Sequence, residues 1–187
     1  KKVLVLGATG AMGKYLVPLL AQVGWQIDGV SIDDAKSEFP NVRFLKMDAY
    51  NRTDLENLLK QNRYDGIVDF LIYPTARLTY FLPWLLDQTD HYIYLSSYRI
   101  YDDKEHPVRE TSPRLIDASD NVLLRNSDDY CIYKARGENI LRSLAKKQWT
   151  ILRPSIAYSL MRYQLVTLEA PNTVGRAFCG KTVVLPE

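Results

Sequence analysis

"KKVLVLGATGAMGKYLVPLLAQVG", residues 1–24, divides into three pieces with different physical requirements. Val3 to Leu6 is a continuous apolar run, the pattern of a short strand buried on both faces. Gly7, Gly10 and Gly13 follow in a G-x-x-G-x-x-G spacing. Leu16, Leu19, Leu20 and Val23 then recur at helical spacing, and Gly24 stands where that helix should end. Pro18 lies early enough in the helix to be tolerated with a slight bend. In such a strand–turn–helix, Gly7 permits the tight turn, Gly10 leaves room for a pyrophosphate, and Gly13 allows close packing on the sheet. The helix N-terminus offers free N–H groups and a positive dipole end to phosphate. Three glycines can also merely build a turn. The apolar strand before them and the amphipathic helix after them favour dinucleotide binding.

Outward from this unit, the alternation repeats. Strands are expected at 26–32, 42–48, 66–73, 92–97 and 149–155, and helices at 53–62, 76–88 and 130–147. Thr53 or Asp54 is the expected N-cap of the 53–62 helix. Residues 102–127 lack periodicity and read as a long functional loop. Strands alternating with helices imply right-handed crossovers and an α/β, Rossmann-type doubly wound parallel sheet. A boundary is expected near residue 157, where the rhythm breaks into short pieces rich in Tyr, Arg and Pro. Residues 1–157 are thus expected to form an NAD(P)-binding domain, and 158–187 the start of a smaller, incomplete substrate-binding region that looks truncated.

Composition narrows the classes. The net charge of +2, with both signs interspersed, supplies no basic stripe, which argues against nucleic acid as a partner. With no apolar run of membrane-spanning length and no secretory leader, a cytoplasmic protein is expected. Cys131 and Cys179 read as free thiols without metal-ligand spacing. His91 and His106 lack partners at ligand spacing, so surface or structural roles are expected and no metal site.

The choice of dinucleotide turns on the end of the second strand, where a carboxylate would bind the adenosine ribose of NAD. "GVSIDDAK" puts Ser31 at that position, with Asp33 and Asp34 just beyond and no arginine close by. Two carboxylates would repel a 2′-phosphate, so NAD is favoured over NADP. Further on, "DDYCIYKARGE" (128–138) places Tyr130 and Lys134 one helical turn apart on one face. In a chain with 13 tyrosines, roughly one Tyr-x-x-x-Lys match is expected by chance, so the pair takes its meaning from its surroundings.

Those surroundings resemble the short-chain dehydrogenase/reductase superfamily, in its extended branch of NAD-dependent epimerases and dehydratases, over about residues 2–158. "GATGAMG" resembles the family's cofactor loop, which implies cofactor contacts from Gly7, Thr9, Gly10, Ala11, Met12 and Gly13. "FLKMDAYN" is similar to the segment in which Asp48 would face the adenine, and "VDFLIY" to a strand end lining the cofactor with Leu71. "YLSSYRIYD" looks like the active-site serine strand, "HPVRETSP" like the loop after it, "YCIYKARGE" like the catalytic helix, and "LRPS" like the exit toward substrate. The resemblance implies that Tyr130 moves a proton to or from a substrate hydroxyl and that Ser97 polarises the same oxygen. Lys134 would favour the phenolate and hold the nicotinamide ribose.

Ser97, Tyr98, Arg99 and Arg153 are the expected substrate contacts, with Arg99, Arg153 and also Arg162 candidates for a substrate diphosphate. Ser96 is expected to contact cofactor or backbone. Three departures stand out. Asp102 replaces the family's usual glycine, "DNVLLRNSDD" is longer than expected, and Tyr98 and Arg99 occupy the positions of the dehydratases' Asp-Glu pair. Without those carboxylates, dehydration is disfavoured. The expected activity is an NAD(P)-dependent epimerase or reductase acting on a nucleotide-linked sugar, as a homodimer through the helices near 76–88 and 130–147. The alternative is a non-catalytic NAD(P)-binding regulatory or RNA-interacting protein of the same fold, for which loss of the Tyr–Lys pair would be the mark.

Overall fold

The computed structural model describes residues 1–160, 162–163 and 169–185. In chain order its elements are β1 (Lys2–Leu6), α1 (Gly13–Gln22), β2 (Gln26–Ser31), β3 (Val42–Lys46), α2 (Arg52–Gln61), β4 (Gly66–Asp69), α3 (Thr75–Asp87), β5 (Tyr92–Leu95), α4 (Leu115–Ala118), α5 (Val122–Asn126), α6 (Tyr130–Ser143), β6 (Trp149–Leu152) and α7 (Val174–Phe178). The strands form one parallel sheet in the order β3-β2-β1-β4-β5-β6. This is the Rossmann order, with the reversal between β1 and β4 where dinucleotides bind.

Two apolar layers cover the sheet. Leu4 and Leu6 of β1 face a core shared with Leu55 of α2, Phe81, Leu82 and Leu85 of α3, and Leu141 of α6. Val3 and Val5 face the opposite way, onto Val17 and Ala21 of α1 and Ile27 of β2. Alternate residues of one strand thus enter different layers, as the pleat requires. The β2–β3 connection carries no helix.

Several boundaries differ from the sequence expectation, each for a local reason. The strand expected at 66–73 ends at Asp69, because the Asp69 carboxylate accepts a hydrogen bond from the Leu71 amide (2.9 Å) and turns the chain out of the sheet. The N-cap of α2 is Asn51 rather than Thr53 or Asp54, its Oδ1 accepting from both of their amides (3.1 and 3.4 Å). α6 stops at Ser143 instead of Lys147. Lys147 Nζ donates to the Arg142 carbonyl (2.6 Å), so that lysine caps the helix rather than extending it. Residues 102–127, expected as loop, contain the short helices α4 and α5.

A polar cluster lies at the amino end of the sheet. Asp28, 3% exposed, pairs across the β2–β3 register with Arg43 through two 2.8 Å hydrogen bonds. It also accepts from the Tyr64 hydroxyl (2.6 Å) and lies 3.4 Å from Lys2 Nζ. Burial alone would raise the Asp28 pKa, but Arg43, Tyr64 and Lys2 together hold it below the usual carboxylate range. A depressed folded-state pKa contributes stability above the unfolded value and loses it as pH falls through the folded one. Asp28→Ala should therefore lower the unfolding free energy by about 3 kcal/mol at neutral pH, read by urea denaturation. The gap to wild type should begin to narrow below about pH 4, where Asp28 of the unfolded chain takes up a proton, and close as pH falls through the lower folded-state value.

Candidate active site

The carboxyl ends of β1, β2 and β3 build one cavity of about 370 Å³, lined by Gly7, Thr9, Gly10, Ser31, Asp33, Asp48, Tyr50 and Leu71 among others. Gly7 has φ +78°, the left-handed conformation glycine takes most readily, and turns the chain sharply out of β1. A Cβ on Gly13 would lie 2.5 Å from the carbonyl oxygens of both Gly7 and Ala8, so the first turn of α1 rests directly on the loop. Thr9 Oγ1 donates to Asp33 Oδ2 (2.8 Å) and lies 2.6 Å from Ser31 Oγ. Asp33, rather than Ser31, thus brings a carboxylate to the end of β2. Asp48 accepts from the Tyr50 amide (2.8 Å), and the Tyr50 hydroxyl donates to the Ile72 carbonyl (2.7 Å). Among the described residues, the lining holds two carboxylates and no lysine or arginine. These features fit a dinucleotide: a cradle that a Cβ would fill, and acceptors placed for ribose hydroxyls. Ala11 lies half-buried in the turn between the glycines. Tyr50 was not singled out from the sequence, although it stands two residues after Asp48.

A second crevice is lined by residues next in sequence to those of this cavity, Met12 after the glycine turn and Ile72 after Leu71. Met12, Ile72, Ser97, Arg99, Tyr130 and Arg162 are among its walls. Ser97 is buried, and its Oγ accepts from the Arg99 amide (3.2 Å), capping a single 3-10 turn at Tyr98–Ile100. With a lone pair occupied there, its O–H is free to donate. Tyr130 begins α6, whose N-cap Asp129 accepts from the Cys131 amide (3.2 Å). Lys134 is 2% exposed, and its Nζ lies 5.9 Å from the Tyr130 ring centroid. That Nζ donates to the Leu95 carbonyl at the end of β5 (2.7 Å). Burial pulls the Lys134 pKa down to about 8, with Asp69 acting in the opposite direction. Arg99 Cζ stands 5.6 Å from the same Tyr130 ring. Ser97, Tyr130, Lys134 and Arg99 are therefore brought together.

Other candidates lie differently. Arg153, expected to reach toward substrate, turns its guanidinium onto Glu138 of α6 in two hydrogen bonds (2.8 and 2.7 Å). Its remaining N–H groups donate to the Tyr101 hydroxyl oxygen (2.6 Å) and the Glu110 carbonyl (2.7 Å). Glu138 is fully buried, and a buried carboxylate needs such a partner more than a substrate does. Arg162 lines the crevice but pairs with Glu169 (2.8 Å). Tyr98 is 36% exposed at the crevice rim, its amide donating to the Pro154 carbonyl (3.1 Å). Ser96 is fully buried and its amide bonds the Leu152 carbonyl (2.7 Å). His91 Nε2 meets Thr150 Oγ1 (2.9 Å), and His106 meets Asp103 (3.0 Å), both at the surface. Part of the 158–187 stretch, expected to begin a substrate-binding region, lies outside the described residues. Arg153→Met should leave the buried Glu138 with only the longer 3.3 Å contact to Arg114 and reduce the unfolding free energy by about 3 kcal/mol, measured by chemical denaturation. An Arg153 devoted to substrate would leave stability unchanged.

Comparison with known proteins adds an independent view. The model of the NAD dependent epimerase/dehydratase family matches residues 3–80. No curated protein matches the chain. Among solved structures, the chain is similar to the Bordetella bronchiseptica enzyme WbmH in complex with NAD+, with 18% identity and a TM-score of 0.69 over 97% of this chain and 63% of that one. It is similar to UDP-glucuronic acid 4-epimerase from Bacillus cereus in complex with NAD, with 19% identity and a TM-score of 0.68 over 98% of this chain and 64% of the other. It is also similar to dTDP-glucose 4,6-dehydratase from Bacillus anthracis in complex with NAD, at 21% identity and a TM-score of 0.72, covering 97% and 63%. The chain thus spans less than two thirds of the length of these proteins, and at such identities the likeness establishes the fold. The resemblance read from the motifs is borne out: residues 3–80 match the NAD dependent epimerase/dehydratase family, and the chain shares the fold of these NAD-complexed enzymes.

Proposed function

We propose that this chain is the dinucleotide-binding part of an NAD-dependent epimerase or reductase acting on a nucleotide-linked sugar. The observation that carries the reading is the meeting of Ser97 and Tyr130 in the walls of one crevice that also includes Met12 of the glycine loop, with the buried Lys134 Nζ 5.9 Å from the Tyr130 ring centroid. Bound NAD supplies a reversible hydride acceptor. The chain's own residues do the rest. Ser97 donates to the substrate oxygen and polarises it. Tyr130 takes the proton from the reacting hydroxyl and later returns it, and Lys134 stabilises the phenolate by its charge. Tyr98 and Arg99 offer no carboxylate for eliminating water, which favours epimerisation or reduction over dehydration. The 158–187 stretch would begin the substrate-binding region, with the outer faces of α3 and α6 joining two copies. Tyr130→Phe should reduce turnover roughly 100-fold or more while NAD affinity, by calorimetry, stays within a factor of about two. Unchanged turnover would remove Tyr130 from the chemistry.

NAD rather than NADP is supported by the carboxylates of Asp33 and Asp48 and the absence of any cation among the described residues of the cavity lining. A 2′-phosphate among these lining residues would meet two negative charges. Asp33→Asn is expected to weaken NAD roughly tenfold, through loss of a charge-assisted hydrogen bond, and to narrow the preference over NADP. Titration of both dinucleotides against wild type and variant reads this directly, and equal affinities in the wild type would refute the preference.

A further inference from the structure

Asp69, at the end of β4, is a buried carboxylate that the proton transfer above does not use. It is 2% exposed. Its Oδ1 accepts from the Leu71 amide (2.9 Å), and its Oδ2 accepts from the hydroxyls of Tyr92 (2.8 Å) and Tyr73 (3.0 Å). Three donors converging on one carboxyl group suit its ionised form. An ionised carboxylate in an apolar core also requires a counter-charge nearby. β4 and β5 pair so that Asp69 stands opposite Tyr94. Lys134 Nζ lies 5.3 Å from the Tyr94 ring centroid. Among the described residues no carboxylate forms an ion pair with Lys134, whose Nζ donates to the Leu95 carbonyl.

We propose that Asp69 is a positioning residue whose buried carboxylate keeps the Lys134 ammonium charged and seated against the end of β5, below Tyr130. The inference rests on the proposed catalytic role of Lys134. Burial depresses the Lys134 pKa to about 8, and Asp69 is the charge that opposes the fall. Burial pushes Asp69 upward in turn, and the Leu71 amide, the two tyrosines and Lys134 oppose that rise. Other ionisable groups around the cluster are Tyr73 beyond β4, Tyr92 and Tyr94 on β5, Tyr130 and Glu138 on α6, and Arg99 after β5. Glu138 is taken up by Arg153 and Arg114, and Arg99 stands at the Tyr130 ring. Asp69 is thus the carboxylate left to serve the amine.

The test follows the amine itself. In protein carrying isotope-labelled lysine, the Lys134 signal is assigned by its loss in Lys134→Met and titrated by heteronuclear NMR. Asp69→Asn keeps the side-chain shape and should lower the Lys134 midpoint by about one pH unit or more, with the alkaline limb of the turnover profile moving the same way. A variant that folds and loses turnover with an unmoved midpoint would make Asp69 merely structural and overturn the proposal. Should Asp69→Asn not fold, the wild type decides. The Asp69 carboxyl carbon signal should shift over the pH range in which Lys134 loses its proton, and a flat signal refutes the coupling. Neither NMR reading involves turnover, so absence of sugar-nucleotide activity would refute the enzymatic reading and leave this one standing.

Discussion

Parallel pairing of β4 between β1 and β5 is the constraint on which the crevice depends. Leu6, Asp69, Tyr94 and Ile151 stand in register across four adjacent strands. Each crossover must carry the chain back to the opposite edge before the next strand can begin, so all these strands release their next residues on the same side. Gly7, Phe70, Ser96 and Arg153 therefore leave the sheet along one edge, far apart in sequence and close in space. The register is held by the two apolar layers. A slip of one residue would turn Leu4 and Leu6 toward α1, and Val3 and Val5 toward α2 and α3.

Within that frame the buried charges divide by edge. Asp28, near the amino end, binds three neighbouring strands or their flanks through Arg43, Tyr64 and Lys2, and none of these groups lines the crevice. Asp69, Lys134 and Glu138 lie toward the carboxyl end, where α6 bonds the end of β5 and the residue after β6. Apolar packing alone would let α6 slide along the sheet, since dispersion is weakly directional. Hydrogen bonds from Lys134 to Leu95 and from Arg153 to Glu138 fix its position along the strand axis. Tyr130 opens the same helix, so its place at the crevice follows from contacts one and two turns further on.

What was legible in the sequence followed from local pattern. The run Val3–Leu6, the glycine spacing and the periodic leucines of α1 specify their structure within a few residues, and strand–helix alternation specifies the sheet. Tyr130 and Lys134 fall on one helix face because spacing alone decides that. What escaped was decided by partners distant in the chain. Arg153 looks free in "LRPS", and only the fold reveals that Glu138, fifteen residues earlier, claims its guanidinium. Asp69 reads as an interruption of an apolar strand, and its hydroxyl partner Tyr92 comes from another element. α4 and α5 are too short for periodicity to register. Asn51 outcompetes Thr53 and Asp54 as cap because its side chain reaches both following amides, a choice that composition cannot rank.

The cations around Tyr130 bear on which chemistry the proposed enzyme can carry out. Elimination of water needs separate proton donors and acceptors at adjoining carbons, and thus carboxylates beside the tyrosine. Lys134 and Arg99 stand within 6 Å of the Tyr130 ring centroid, and Tyr98 after Ser97 adds a second phenol. Such a field favours negative charge on the phenol and on the substrate oxygen. The carboxylate in the crevice wall, Glu169, is taken up by Arg162 (2.8 Å) rather than set beside the phenol. A reaction confined to one oxygen and the carbon bearing it needs only a proton carrier, a polarising hydroxyl and a fixed positive charge, the roles that Tyr130, Ser97 and Lys134 can fill. Under the proposed reading, the charge balance of this crevice selects carbonyl–alcohol interconversion over dehydration even before the substrate is known.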